Sequence, residues 1–323
     1  MPPIPSLATI RSGGKVALAR ALSLIETAAG NEDLARLLDA AAASPNGRVL
    51  GLTGPPGVGK STLVHALIRR AREAGRSVGV VAVDPSSQLS GGALLGDRTR
   101  LRTDPEDTGI FVRSFAARDR LGGLSDAAIA ATVLMRAVQD LTIVESVGVG
   151  QSEGDIALLA DTVLLLIQPG SGDSLQFMKA GIMELPDIVA VTKADMGDAA
   201  RRAAADVEGA LTLAATGGPR QAAVVLVSAT SGEGIDALAA AIEARSEDAA
   251  AAIARRRQAQ PPALVADRIR RRFGSEGLAV ADVHAALARA GGPFAAMLLL
   301  ERELKHRLLT VFQGYQDDNA PEA

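Results

Sequence analysis

The chain has 323 residues, of which 48% are hydrophobic and 22% charged, with a formal net charge of -3, no cysteine and three histidines. That length holds one large α/β domain, or one domain with helical additions, and a substantial core. The charge balance excludes a basic field for nucleic acid or an anionic membrane, and the missing thiols exclude disulfides, thiolate catalysis and Cys-based metal sites.

Aromatic residues make up 2% of the chain, too few to stack single-stranded bases. No apolar run approaches the roughly 18 residues of a membrane span. Arg11, Lys15 and Arg20 lead the chain without the apolar core and cleavage site of a secretory signal, so the expected location is cytoplasmic.

Residues 1–13, rich in proline, read as a loose lead-in. From Lys15 to Ser44, Leu, Ile and Ala recur at helical spacing with a break at Gly30-Asn31, which predicts two helices. Their apolar stripes need a partner, either the following domain or a second subunit. Apolar strands and amphipathic helices then alternate, the pattern of a parallel sheet covered on both faces. The predicted strands are Val49 to Thr53, Ser77 to Val83, Leu141 to Glu145, Thr162 to Ile167, Ile188 to Val191 and Ala223 to Val227.

The first strand runs into Gly54-Pro55-Pro56-Gly57-Val58-Gly59-Lys60-Ser61, a full G-x-x-x-x-G-K-[ST] between strand and helix. Glycines let successive backbone N–H groups turn toward phosphate, and the helix N-terminus adds its unpaired donors. Lys60 is expected to reach the β and γ phosphates and Ser61 to ligate Mg²⁺, with Thr62 completing the binding stretch.

Other chemistry follows other strands. Asp84 opens Asp84-Pro85-Ser86-Ser87 and is either a Mg²⁺-linked acid or the cap of a turn; Asp97, in Gly96-Asp97-Arg98, is a second candidate for the metal or its water. Glu145 ends a strand and Gly148 follows three residues later, pairing an acid for Mg²⁺ with a backbone N–H for the γ phosphate. Val149 stands where many GTPases carry a water-orienting Gln, so hydrolysis by the chain alone is expected to be slow; Gln151 is nearby.

Thr192-Lys193-Ala194-Asp195 resembles the Asn-Lys-x-Asp guanine box. Asp195 accepts from the guanine ring N–H and amine, which adenine lacks, and the Lys193 stem covers the base. Ser228-Ala229-Thr230 matches the loop that supports the base, so GTP is favoured over ATP.

After about Ser246 the pattern is helical only, with Ala249 to Gln258, Pro262 to Phe273, Ala279 to Ala290 and Pro293 to Phe312 punctuated by Pro261-Pro262 and Gly291-Gly292-Pro293. The triplets Arg255 to Arg257 and Arg270 to Arg272 read as solvated helix faces. Met297 to Leu300 is wider than one buried stripe requires and suits a subunit interface. The expected architecture is an α/β, mostly parallel-sheet P-loop domain over residues 46–246, with an N-terminal helical segment, 1–45, and a helical extension, 247–323.

With Gly54 to Thr62, Asp84 to Ser87, Ser90-Gly91-Gly92, Leu95 to Arg98, Leu121-Gly122-Gly123-Leu124 and Glu145 to Glu153 in register, the chain resembles the MeaB/ArgK family of methylmalonyl-CoA mutase-associated GTPases. Pro169 to Glu184 adds a long match, and the resemblance covers roughly residues 15–312. It implies a homodimeric GTPase, using GTP and Mg²⁺, that binds a cobalamin-dependent acyl-CoA mutase and gates adenosylcobalamin loading and protection. It ties Lys60, Asp97 and Gly148 to catalysis and Ser61, Asp84, Asp97 and Glu145 to the metal. It also makes Gly170 to Glu184 a switch that relays nucleotide state to the partner, through Gly170, Asp173, Gln176 and Lys179. Thr192 departs from the family's Asn. A metallochaperone or a small-molecule kinase is the alternative; the first needs Cys and His clusters, and no acceptor site marks the second.

Overall fold

The computed structural model describes residues 3–84, 103–104, 106–116, 124–146, 152–170, 185–214, 222–248 and 250–318. Among them the elements run α1 Leu7–Ser12, α2 Gly14–Thr27, α3 Glu32–Ala43, β1 Arg48–Thr53, α4 Lys60–Glu73, β2 Val78–Asp84, β3 Ile110–Ala116, α5 Asp126–Val138, β4 Leu141–Glu145, α6 Ser152–Ala157, β5 Thr162–Ile167 and β6 Ile188–Val191. They continue with α7 Asp198–Ala214, β7 Ala223–Leu226, α8 Ile235–Asp248, α9 Ala250–Ala279, α10 Val283–Ala290 and α11 Pro293–Asp318.

The seven strands form one sheet in the order β3-β2-β4-β1-β5-β6-β7, and every pair is parallel. Successive residues of a strand face opposite layers. Leu50 and Leu52 therefore pack with α4 and α8, while Val49 packs with α5 and α6. Six of the strands match the expected apolar runs. β3 was missed because Arg113 interrupts its run; the guanidinium pairs with Glu26 on α2, which is how an edge strand carries a charge inward.

The N-terminal helices have found their partner within the chain. Leu18, Leu22 and Ile25 of α2 and Leu34, Leu37 and Leu38 of α3 are buried in one cluster with Ile129, Val133 and Leu134 of α5. Each such leucine contributes about 2 kcal/mol. The expected loose lead-in contains a helix instead: Ser6 Oγ caps α1 by accepting from the Thr9 N–H, and Ile10 is fully buried.

The C-terminal helices depart most from expectation. Pro261-Pro262 does not stop α9; the break comes at Gly274, with φ 75° and ψ -175°. Prolines inside a helix cost about 3 kcal/mol or more. Side-chain bonds on the preceding turn offset that cost. Arg256 donates to both oxygens of Asp187 at 2.9 and 3.2 Å, and Arg257 Nε and Nη2 both donate to Asp161 at 2.7 Å. Gln260 accepts from Arg136 at 3.0 Å and donates to the Leu159 carbonyl at 3.1 Å.

Two of the residues read as a solvated face, Arg256 and Arg257, are thus clamps on carboxylates 6% and 1% exposed, and only Arg255 of that triplet lies free in solvent by burial. Asp161 and Asp187 precede β5 and β6 and accept from the Val49 and Val163 N–H groups, so α9 is fastened to the amino edge of the sheet. The second triplet behaves alike: Arg271 pairs with Asp126 and Asp267, and Arg272 with Glu301. Ala296, Leu300 and Leu304 of α11 close a separate core with Val265 and Ile269 of α9 and Ala286 of α10.

Breaking a buried pair leaves an uncompensated charge, so Arg257→Met is expected to cost about 3 kcal/mol, read from the urea midpoint. A loss below about 0.5 kcal/mol would mean the pair behaves as a surface contact. Asp39 of α3 supplies a second test. It accepts from the first turn of α11, Phe294 N–H at 2.8 Å and Ala295 N–H at 3.0 Å; burial nevertheless raises its pKa above the ordinary 3.8, against those two bonds. A raised folded pKa stabilises fully below pH 3.8, and that contribution is lost as pH rises through the folded value. Asp39→Asn removes the charge but keeps one acceptor oxygen of the two, since its NH2 cannot accept from an N–H. Its melting temperature relative to the parent should therefore be more favourable at pH 7, where the parent carries the buried charge, than near pH 3.5, where it does not; a difference of the opposite sign would reverse the assignment.

Candidate functional site

The carboxyl edge of the sheet carries the site. β1 ends at Thr53 and enters a loop whose glycines take backbone angles open to few other residues: Gly54, Gly57 and Gly59 have φ of 149°, 76° and 99°. At Gly54 space is limiting as well, because a Cβ would lie 2.6 Å from the Leu166 carbonyl oxygen of β5. α4 starts immediately, with Gly59 as its N-cap and no side-chain cap bond. Its first N–H donors are therefore available to an anion, reinforced by the helix dipole.

Lys60 is 8% exposed and curls over the loop, donating to the carbonyls of Gly54 at 2.8 Å and Pro55 at 3.1 Å. An ammonium held there is in reach of phosphate oxygens seated in the same loop. Ser61 Oγ donates to Glu145 Oε1 at 2.9 Å. Glu145 ends β4, and its register opposite Leu52 of β1 brings the carboxylate to the start of α4. Beside it Ser146 N–H donates to the Leu52 carbonyl at 3.1 Å, and the Ser146 and Thr53 hydroxyls bond at 3.2 Å.

A hydroxyl and a carboxylate in contact at an open helix N-terminus are the hard oxygen donors that Mg²⁺ takes, with water and phosphate oxygens filling its other positions. The donor set fits that ion. A cleft of about 780 Å³ opens here, lined by Gly57, Lys60, Thr62, Glu145 and Ala229 among others. His65 and Arg69 also line it from α4, their spacing of four and eight residues from Ser61 placing them on the same helix face.

The base-side residues follow β6 and β7. Thr192 is buried, and its hydroxyl lies 2.9 Å from the carbonyl oxygen of Val58 and 3.2 Å from that of Ile167. It thus bonds to the phosphate loop itself. Lys193 is the sole non-glycine residue with positive φ among the described residues, at 57°. Its Nζ donates to Gln168 Oε1 at 2.6 Å, a partner at the end of β5 that the sequence reading passed over. Ala194 N–H donates to the Val227 carbonyl at 3.0 Å, which fixes the following turn, Ala194–Met196, against the end of β7. Asp195 is exposed in that turn. Ser228 Oγ accepts from Ser231 N–H at 3.2 Å, and Gly232 N–H donates to the Ser228 carbonyl at 2.9 Å, folding the Ser228-Ala229-Thr230 loop on itself.

Asp84 stands at the carboxyl end of β2, two strands from Thr53 in the same sheet. Gly170 forms a turn after β5 with φ 75°. Asp97, Gly148, Asp173, Gln176 and Lys179 lie outside the described residues.

Residues 18–277 match the sequence model of the family described as methylmalonyl-CoA mutase-associated GTPase MeaB. A putative GTPase of Pyrococcus horikoshii is 46% identical over 199 residues, covering 60% of this chain and 62% of that protein. The GTPase ArgK of Escherichia coli is 39% identical over 194 residues, covering 59% of each chain. The match thus spans somewhat under two thirds of the length of these relatives. Among solved structures, a LAO/AO transport system kinase superposes with a TM-score of 0.67 at 25% identity, over 93% of this chain and 96% of that one. The family match over most of the chain, on a parallel sheet whose phosphate loop and acid meet at the start of α4, establishes that this chain belongs to the MeaB family of GTPases.

Proposed function

We propose that this chain hydrolyses GTP slowly by itself and acts as a chaperone for a cobalamin-dependent acyl-CoA mutase, gating adenosylcobalamin loading and protection. The observation that carries the nucleotide half is the Ser61–Glu145 bond at 2.9 Å beneath an uncapped helix N-terminus. Family membership supports the mutase half.

In this reading Gly54 to Thr62 hold the phosphates, Lys60 and the α4 donors offset the charge of the γ phosphate, and Ser61 and Glu145 hold Mg²⁺, helped by Asp84 and Asp97. The metal supplies charge neutralisation at the β and γ oxygens. Gly148 offers a backbone donor to the γ phosphate. Lys193, Asp195 and Ser228 to Thr230 hold guanine. Gly170 to Glu184, beginning next to the Lys193 partner Gln168, relays nucleotide state to the mutase.

The domain division follows: helices at 1–45, the nucleotide domain at 46–246 and the extension at 247–323. A cytoplasmic location belongs to the same reading; among the described residues no single helix is long and apolar enough to cross a membrane. The exposed Leu308 and Leu309, 51% and 62% accessible near the far end of α11, are proposed to meet a second copy of the chain.

The deciding experiment measures phosphate release from GTP and from ATP, with and without a candidate cobalamin-dependent acyl-CoA mutase, using Lys60→Ala as the inactive control. Slow turnover specific for GTP and raised at least tenfold by the mutase is the expected result. Equal use of ATP, or a rate indifferent to every such mutase, would refute the reading. For the dimer, light scattering of the parent should give twice the chain mass and that of Leu308→Glu/Leu309→Glu the mass of one chain; an unaltered dimer in the double variant removes α11 from the interface.

A further inference from the structure

Guanine offers the N1–H and the exocyclic amine as donors and, on the edge toward its six- and five-membered ring junction, O6 and N7 as acceptors. In the Asn-Lys-x-Asp box the carboxylate takes the two donors, while the Asn amide, with two hydrogens, serves both N7 and the phosphate loop. This chain has Thr192 in place of that Asn. A hydroxyl has one hydrogen.

The geometry accounts for that hydrogen. Thr192 Oγ1 lies 2.9 Å from the Val58 carbonyl and 3.2 Å from the Ile167 carbonyl, inside a side chain only 6% exposed. Both neighbours are acceptors, so the hydrogen belongs to one of them, and the remaining lone pairs cannot bond N7, itself an acceptor. Turning the hydroxyl toward a base would leave a buried carbonyl without its donor, and the β-branched side chain has few rotamers with which to do so.

We infer that Thr192 is a positioning residue for the phosphate loop and supplies no donor to the base, so that this site reads guanine without its N7. Selectivity then falls on Asp195, and Thr192 ties the end of β6 to Val58 whichever base is bound. The inference rests on the proposed GTP site and deepens it.

The test uses the full chain with Mg²⁺ and compares dissociation constants for GTP, 7-deaza-GTP, in which a C–H replaces N7, and ATP. For the parent, GTP and 7-deaza-GTP should agree within about twofold, with ATP much weaker. Thr192→Asn restores the second donor and should create a preference for GTP over 7-deaza-GTP of roughly three- to tenfold, the worth of one net hydrogen bond. Thr192→Val, which lacks the hydroxyl, should weaken both guanine nucleotides by the same factor.

A parent that loses fivefold or more with 7-deaza-GTP, and a Thr192→Val variant that no longer distinguishes the two, would overturn the inference while leaving the GTP site intact. Equal binding of ATP and GTP by the parent would instead overturn the guanine reading itself. The comparison within the parent does not depend on any variant folding.

Discussion

The bond between Ser61 and Glu145 depends on one constraint, the placement of β4 directly beside β1. Parallel pairing of Leu52 with Glu145 brings the carboxylate level with the end of β1, and the phosphate loop then returns α4 over the same edge. Remove either neighbour relation and the hydroxyl and the acid no longer meet. The rest of the carboxyl edge uses the same geometry: β5 on the other side of β1 supplies Leu166, close against Gly54, and Thr192, directly after β6, bonds to Val58. Strand order thus converts four separated stretches of sequence into one cleft, as open parallel sheets do at their carboxyl ends.

The opposite edge is held by charge. Asp161 and Asp187 each accept a backbone N–H at the amino edge of the sheet and each receive an arginine of α9. The bidentate bond from Arg257 raises the guanidinium pKa despite its burial, while the neighbouring Arg136, buried beside that positive charge, has its pKa lowered by desolvation. Arg136 is retained through Gln260 and the field of Asp161. Such networks favour one docking geometry over its neighbours, because any shift of α9 leaves a buried charge without its partner.

β5 and β6 span the two edges, running from these aspartates to Gln168 and Thr192. The candidate cleft at one end and the helical extension clamped at the other are therefore separated only by the length of two short, fully buried strands. Lys193 adds strain at the carboxyl edge: a left-handed backbone at a residue other than glycine is maintained here by the Gln168 bond and by the hydrogen bond from the Ala194 N–H to the Val227 carbonyl.

The sequence by itself determined the fold class, six of the seven strands and the phosphate loop. Those features are encoded locally, by hydrophobic period and by glycine and lysine at fixed spacing. It also marked Glu145 and the box at Thr192 as chemically active, since both follow apolar strands. Only the tertiary structure decided which strand lies next to which, and hence that Ser61 meets Glu145 and that Thr192 bonds to Val58. It decided as well that β3 is a strand, that α9 passes through two prolines, and that Arg256 and Arg257 are clamps. In each case the deciding partner is distant in the chain: Glu26 for Arg113, Asp161 and Asp187 for the arginines. Propensity weighs a residue against its near neighbours, whereas burial beside an opposite charge outweighs it only once the chain has folded.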